Sequence, residues 1–245
     1  MKADPTAQRR LLDLQRIDTA ISQLEHRAKT LPEHALLAER QTKRSGLGQQ
    51  LVAAETVLSD AVAAQERAEA DLEPVRARLT RNQKLIDDGS VSDPKTLRSM
   101  VEETEHLKVR ISTLEDTELE LMQAREDAEA ARDAILTQKT DLETEMRGYL
   151  AKRDEAVKSL QADVAERRKA RAEVLSDLPA PLVAMYDKVR ERAGGTGAAE
   201  LKGRRCTGCG LEATSADYER YVAAPEDEVL RCEECDRILV RTEAS

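Results

Sequence analysis

The sequence predicts a mainly α protein, a long antiparallel helical hairpin followed by a small C-terminal β module. Three observations lead there. First, 36% of the 245 residues are charged and 2% aromatic, with no Trp or Phe. Such a composition lacks the bulk for a thick core and suits helices that bury a narrow seam. Second, leucine and alanine recur at heptad spacing over long stretches. Third, four cysteines form two C-x-x-C pairs near the C-terminus.

The first helix is read over residues 5–31. Asp4 can cap it and Pro5 suits its first turn. Leu11, Leu14, Asp18, Ile21, Ala28 and Leu31 follow one helical face. Pro32 interrupts the pattern, and Thr30-Leu31-Pro32-Glu33 has the form of a capping box for a second helix.

That second helix carries two unbroken heptad rows. One holds Leu37, Arg44, Leu51, Leu58, Gln65, Leu72, Leu79 and Ile86. The other holds Arg40, Leu47, Ala54, Ala61, Ala68, Val75 and Asn82. Steps of seven sustained this long specify a coiled-coil partner. Asp87-Asp88-Gly89-Ser90 ends the helix, and Asp93-Pro94 restarts the chain with the same cap logic as Asp4-Pro5. So short a turn between long helices makes an antiparallel hairpin. Its arms, roughly 55 residues each, would span on the order of 80 Å. The returning seam is read as Leu97, Met100, Leu107, Ile111, Leu114, Leu121, Ala124, Ala128, Ala131, Ile135, Leu142 and Tyr149, with a phase slip near Thr117. Leu178-Pro179-Ala180-Pro181 breaks this helix, and Leu182–Arg192 forms a short one. A glycine-rich link, 193–197, then separates residues 1–192 from a second domain, 198–245.

In that domain Cys206-Thr207-Gly208-Cys209 and Cys232-Glu233-Glu234-Cys235 form two knuckles. Four thiolates at this spacing close a tetrahedral structural Zn2+ site, and metal binding supplies the folding energy a small sheet lacks. Strands are expected at 228–231 and 238–240. Leu201, Leu211, Leu230, Ile238 and Leu239 would form a core, with Tyr218 and Tyr221 on the inserted segment. A dithiol redox centre would need only one C-x-x-C. A catalytic zinc would need an open coordination position, which four Cys do not leave. His26, His34 and His106 fall on helices as solvated residues.

These motifs resemble a known family: the bacterial C4-type zinc-ribbon proteins with an N-terminal coiled-coil hairpin. The resemblance spans the chain. It rests on Gly89-Ser90-Val91-Ser92-Asp93-Pro94-Lys95, on both knuckles, and on Cys235-Asp236-Arg237-Ile238-Leu239. The family ending usually reads Cys-Gly-Arg-Ile-Leu plus an aromatic, so Asp236 and Val240 depart from it. The resemblance implies a regulatory or scaffolding role. Some relatives look like partners of the enhancer-dependent alternative sigma factor, and one branch binds flagellar messenger RNA. Arg outnumbers Lys 27 to 12, a bias of GC-rich genomes. A high-GC Gram-positive source would lack that sigma factor and need another partner.

No nucleophile–base pair or phosphate loop is visible, so a non-enzymatic adaptor working through protein–protein contacts is the expected function. The alternative is nucleic-acid binding by a basic neck. Residues 167–205 hold ten basic against five acidic residues, in a chain of net charge −9. Arg167, Arg168, Arg171, Arg190, Arg204 and Arg205 are the candidate contacts. Against this, residues 206–245 are acidic and few aromatics exist to stack bases. No apolar run is long enough for a membrane span. Residues 1–10 lack the apolar core of a signal peptide, so a cytoplasmic location is expected. Whether the chain is a monomer or a dimer is not legible.

Overall fold

The structure, a computed structural model, describes residues 1–242. Helices α1 (Pro5–Lys29), α2 (Pro32–Asp87), α3 (Pro94–Ser176) and α4 (Ala180–Arg192) precede strands β1 (Ala198–Lys202) and β2 (Arg205–Cys206). Helix α5 (Ser215–Ala223) and strands β3 (Leu230–Arg231) and β4 (Ile238–Arg241) complete the chain. The backbone forms two compact units, residues 36–149 and residues 1–35 with 150–245. No helix among the described residues is long and apolar enough to cross a membrane.

Residues 36–149 are the hairpin proper. In α2 every position of both predicted rows is buried or half-buried except Arg44, which is exposed and pairs with Glu143. The turn follows the predicted chemistry. Gly89 adopts φ +63° and closes α2, with the Ser90 N–H donating to the Leu85 carbonyl. Left-handed backbone at a helix end is where glycine avoids the Cβ penalty. Asp93 then caps α3, accepting from the Thr96 N–H at 2.9 Å. The arms are antiparallel: Arg40 meets Glu145, Gln65 meets Arg125, and Arg76 meets Glu115.

The seam of α3 differs from the expected one. Ala124 and Ala131 are exposed, while Glu118, Arg132 and Lys139 are half-buried. The true rows are Leu97, Thr104, Ile111, Glu118, Arg125, Arg132, Lys139, Met146 and Met100, Leu107, Leu114, Leu121, Ala128, Ile135, Leu142, Tyr149. Both keep steps of seven throughout, so the phase slip at Thr117 does not occur. Long side chains make this tolerable. Arg132 lays its stem in the seam and carries its guanidinium to Glu129 and Asp133 at the edge, as amphipathic side chains do.

The other unit builds a four-stranded sheet, order β2-β1-β4-β3, on α1 and α4. Strand β1 runs parallel to β4, with Ala198 opposite Ile238. Strand alternation splits the sheet into two faces. Ile238, Val240 and Ala198 join Leu11, Leu14, Leu182, Tyr186 and Val189 in a helix-facing core. Leu239, Leu201 and Ala199 face the other way, with Tyr221, Leu230, Cys206 and Cys232. The expected single core therefore divides: Ile238 belongs with the helices. Leu211 is 53% exposed and belongs to neither. The first residues are threaded into the same unit: the Val229 N–H donates to Met1 and the Ala3 N–H to Asp227.

Two local expectations change. Thr30 closes α1 instead of capping α2: its hydroxyl donates to the His26 carbonyl. The expected link at 193–197 is bonded into the unit, with the Gly197 N–H donating to Gln15 Oε1 at 2.7 Å. A Cβ on Gly197 would lie 2.8 Å from the Tyr186 ring and carbonyl.

Candidate metal centre and basic neck

The two knuckles are near copies. Gly210 and Asp236, each just after the second cysteine of its pair, adopt φ +77° and +59°. Their N–H groups donate to the carbonyls of Cys206 and Cys232, both at 2.8 Å. The Cys206 and Cys232 N–H groups in turn bond to Leu211 and Arg237 at 3.0 and 2.9 Å. Each loop is thereby held closed around its two sulfurs. Gly208 is needed for space, not for an unusual φ. A Cβ there would sit 2.7 Å from Arg237 Cδ and 2.9 Å from the Ala199 Cβ.

The four Sγ atoms lie within 4.8 Å of one another. Cys206–Cys235 and Cys209–Cys232 are each 4.0 Å apart. Tetrahedral zinc at about 2.3 Å from each sulfur requires S···S of about 3.8 Å. The residues therefore fit one structural zinc, and all four predicted ligands converge. Burial pushes the Cys206 thiol up and the Cys232 thiol up to about 12. Burial also opposes ionisation of Cys235, but hydrogen bonds from the Arg237 N–H and side chain outweigh it and bring that thiol down to about 7. Arg237 is itself fixed by donating to the Thr196 and Ala193 carbonyls.

The six neck arginines do not form one free surface. Arg171 Nε donates to Asp18 Oδ1 at 2.7 Å, and Arg190 lies 3.3 Å from Oδ2. The Tyr186 hydroxyl adds a third contact to Asp18 at 2.8 Å. Asp18, 1% exposed, thus joins α1, α3 and α4. Burial, then the bond to Asp18, raises the Tyr186 phenol. Its own hydrogen bond to Asp18 likewise raises the Arg171 guanidinium. Gln15, one turn earlier, accepts from Tyr186 and from Gly197. Arg168 pairs with Glu25 and Arg205 with Glu212. Arg204 donates to the Ala213 carbonyl and lies over the Tyr218 ring. Arg167 and Arg204 are both exposed and without an ion pair among the described residues, Arg204 being held by its hydrogen bonds and ring contact alone. The Asp18 network escaped sequence reading, although its signal was there: an acid in line with Leu11, Leu14 and Ile21.

A closed four-thiolate site on a small sheet, joined to a long helical hairpin, defines a coiled-coil protein with a structural zinc ribbon. Two family models match accordingly: a CT398-like coiled coil hairpin domain over residues 14–194 and a C4-type zinc ribbon domain over residues 205–239. The chain belongs to this CT398-like coiled-coil hairpin family. An uncharacterized protein of Mycobacterium tuberculosis is 30% identical over 243 residues, 99% of this chain and 98% of that one. A solved Mycobacterium smegmatis structure superimposes with TM-score 0.86 at 33% identity, over 99% of this chain and 100% of that one. CT398 from Chlamydia trachomatis shares the fold, with TM-score 0.66 at 15% identity over 97% and 98% of the two chains.

Proposed function

We propose that the protein is a non-enzymatic zinc-ribbon adaptor that acts by binding another protein. The observation that carries the reading is how the neck arginines are used. A nucleic-acid surface needs guanidinium groups free to neutralise phosphates. Here Arg171 and Arg190 are committed to Asp18, Arg168 to Glu25 and Arg205 to Glu212. The metal site supports the same reading, because four thiolates leave zinc no position for water or substrate. Work must then be done by surfaces.

The test is a tagged pull-down with and without nuclease. The adaptor reading expects a co-purifying protein that survives nuclease and the replacement of Arg167, Arg168, Arg204 and Arg205 by Ala. Recovery of nucleic acid alone, lost in that variant and falling steeply with salt, would establish the neck as a nucleic-acid site instead.

A further inference from the structure

The hairpin, residues 36–149, has two open edges where its arms meet water, and they are chemically unlike. Ion pairs between the two arms identify them. Arg76–Glu115 and Arg44–Glu143 lie on one edge, Arg78–Glu103 and Arg40–Glu145 on the other. The heptad register assigns the residues flanking the seam to one edge or the other, and the row facing directly away from the seam to neither.

The Arg76–Glu115 edge carries an apolar stripe at mid-hairpin. Val52 is 63% exposed, Leu119 62%, Met122 38% and Leu136 43%, and the half-buried Val62 shares their register. Leu119 to Leu136 alone extends about 25 Å along α3. Exposed apolar groups aligned in this way mark interaction surfaces more than scattered ones do.

The same edge is acidic. Between 52 and 73 its other α2 positions are Glu55, Ser59, Glu66, Glu69 and Glu73. Between 112 and 136 those of α3 are Ser112, Glu115, Glu126, Glu129 and Asp133. None is Lys or Arg. The seam arginine Arg132 reaches out to Glu129 and Asp133, and Arg76 takes Glu115. Glu55, Glu66, Glu73 and Glu126 have no ion pair among the described residues. The opposite edge, over the same stretch, has five Ala and two Thr beside Asp60, Asp71, Glu120, Asp127 and Arg67, and its one large apolar residue is Val57.

We propose that this edge docks a basic amphipathic helix of a partner protein. An apolar stripe flanked by unpaired carboxylates is complementary to a helix with Leu-like anchors and Lys or Arg beside them. Charge decides among the occupants. A second copy would bring the same carboxylates face to face, and nucleic acid would bring phosphates against them. The proposal rests on the adaptor reading and places its surface on the hairpin.

The probe is a fluorescent Leu/Lys peptide of about three heptads, read by anisotropy against the full zinc-loaded protein. A scrambled peptide and a Leu/Glu peptide are the controls. The ordered basic peptide should bind at least about tenfold tighter than the scrambled one, and the acidic one should not bind. Leu119→Ser with Met122→Ser should remove that discrimination. So should Glu66→Gln with Glu73→Gln and Glu126→Gln, which keeps side-chain size and guards against misfolding of the serine variant. Equal binding of ordered and scrambled peptides, or discrimination untouched by the glutamine variant, overturns the proposal. A sedimenting dimer dissociated by the serine variant would overturn it in favour of a second copy. If the glutamine variant still captures its partner in the pull-down, the surface is misplaced and the adaptor reading stands. If wild-type protein captures no protein at all, both fall together.

Discussion

At residue scale, Asp18 carries the most consequence. It is buried, so its charge is tolerable only with Arg171, Arg190 and Tyr186 around it. Asp18→Ala would leave Arg190 without its ion pair, Arg171 with Asp187 alone and the Tyr186 hydroxyl with Gln15 alone. The expected cost is about 3 kcal/mol, at the low end for buried pairs because both arginines keep part of their hydration. Urea unfolding read in the residue 1–35 and 150–245 unit should show it, with Tyr186→Phe costing about 1 kcal/mol. Asp236 tests the knuckles. Its left-handed backbone favours glycine, and its side chain pairs with Arg192 and Arg231 at the surface. Exposed pairs are weak, so Asp236→Gly should be near neutral and Asp236→Ala should cost about 1 kcal/mol. The thiols predict a pH dependence of zinc loading. Cys206 and Cys232 hold their protons at neutral pH without metal, so binding must release them. Zinc affinity should therefore fall as pH falls. Calorimetry in buffers of differing ionisation enthalpy should register the released protons.

At the scale of elements, the helices were legible because heptad spacing and Asp-Pro starts are strong local signals. Their ends came within a few residues. The α3 seam was misread for a physical reason: sequence patterning favours Ala124 and Ala131 over Arg132 and Lys139. It does not anticipate that a long cationic side chain can lie in a seam and still reach water. Strand β1 was missed because Ala198-Ala199-Glu200 has little strand preference, and its pairing with β4 is set by the core beneath. Helix α5 was missed too, though Thr214 caps it through the Asp217 N–H. The metal ligands were fully legible, because ligand spacing is itself the chemistry. The corrected seam predicts that Arg132→Leu together with Lys139→Leu stabilises the hairpin, raising the melting temperature followed by helical circular dichroism. A second expectation follows from acid. Hydrogen bonds to Arg44, Arg40 and Thr96 hold Glu143, Glu145 and Asp93 below their ordinary values. Groups lowered on folding stabilise fully above the unfolded pKa and stop doing so as pH falls through the folded one. The hairpin should therefore melt earlier below about pH 4.

At the scale of the whole molecule, the two units should respond differently to chelation. The hairpin's seam contains no ribbon residue, so its helical signal should persist. The other unit shares one core between sheet and helices, through Ile238, Val240, Leu11, Leu14 and Tyr186. Hydrogen exchange after zinc removal should therefore rise in α1 and α4 as well as around the cysteines, and stay low across Ile111–Leu142. Exchange confined to residues 198–242 would contradict this.

The parallel pairing of β1 with β4 also bears on the order of synthesis. The strand that completes the helix-facing core, Ile238–Arg241, leaves a ribosome after α1, the hairpin and α4. The hairpin can zip while the chain is still being made, since its partners meet within residues 36–149. Helix α1 is translated before the hairpin, yet Leu11, Leu14 and Asp18 wait for α4, and the core around Leu11 and Leu14 then waits for β4. A nascent chain halted near Gly197 should thus show a protease-resistant hairpin and an α1 still open to cleavage.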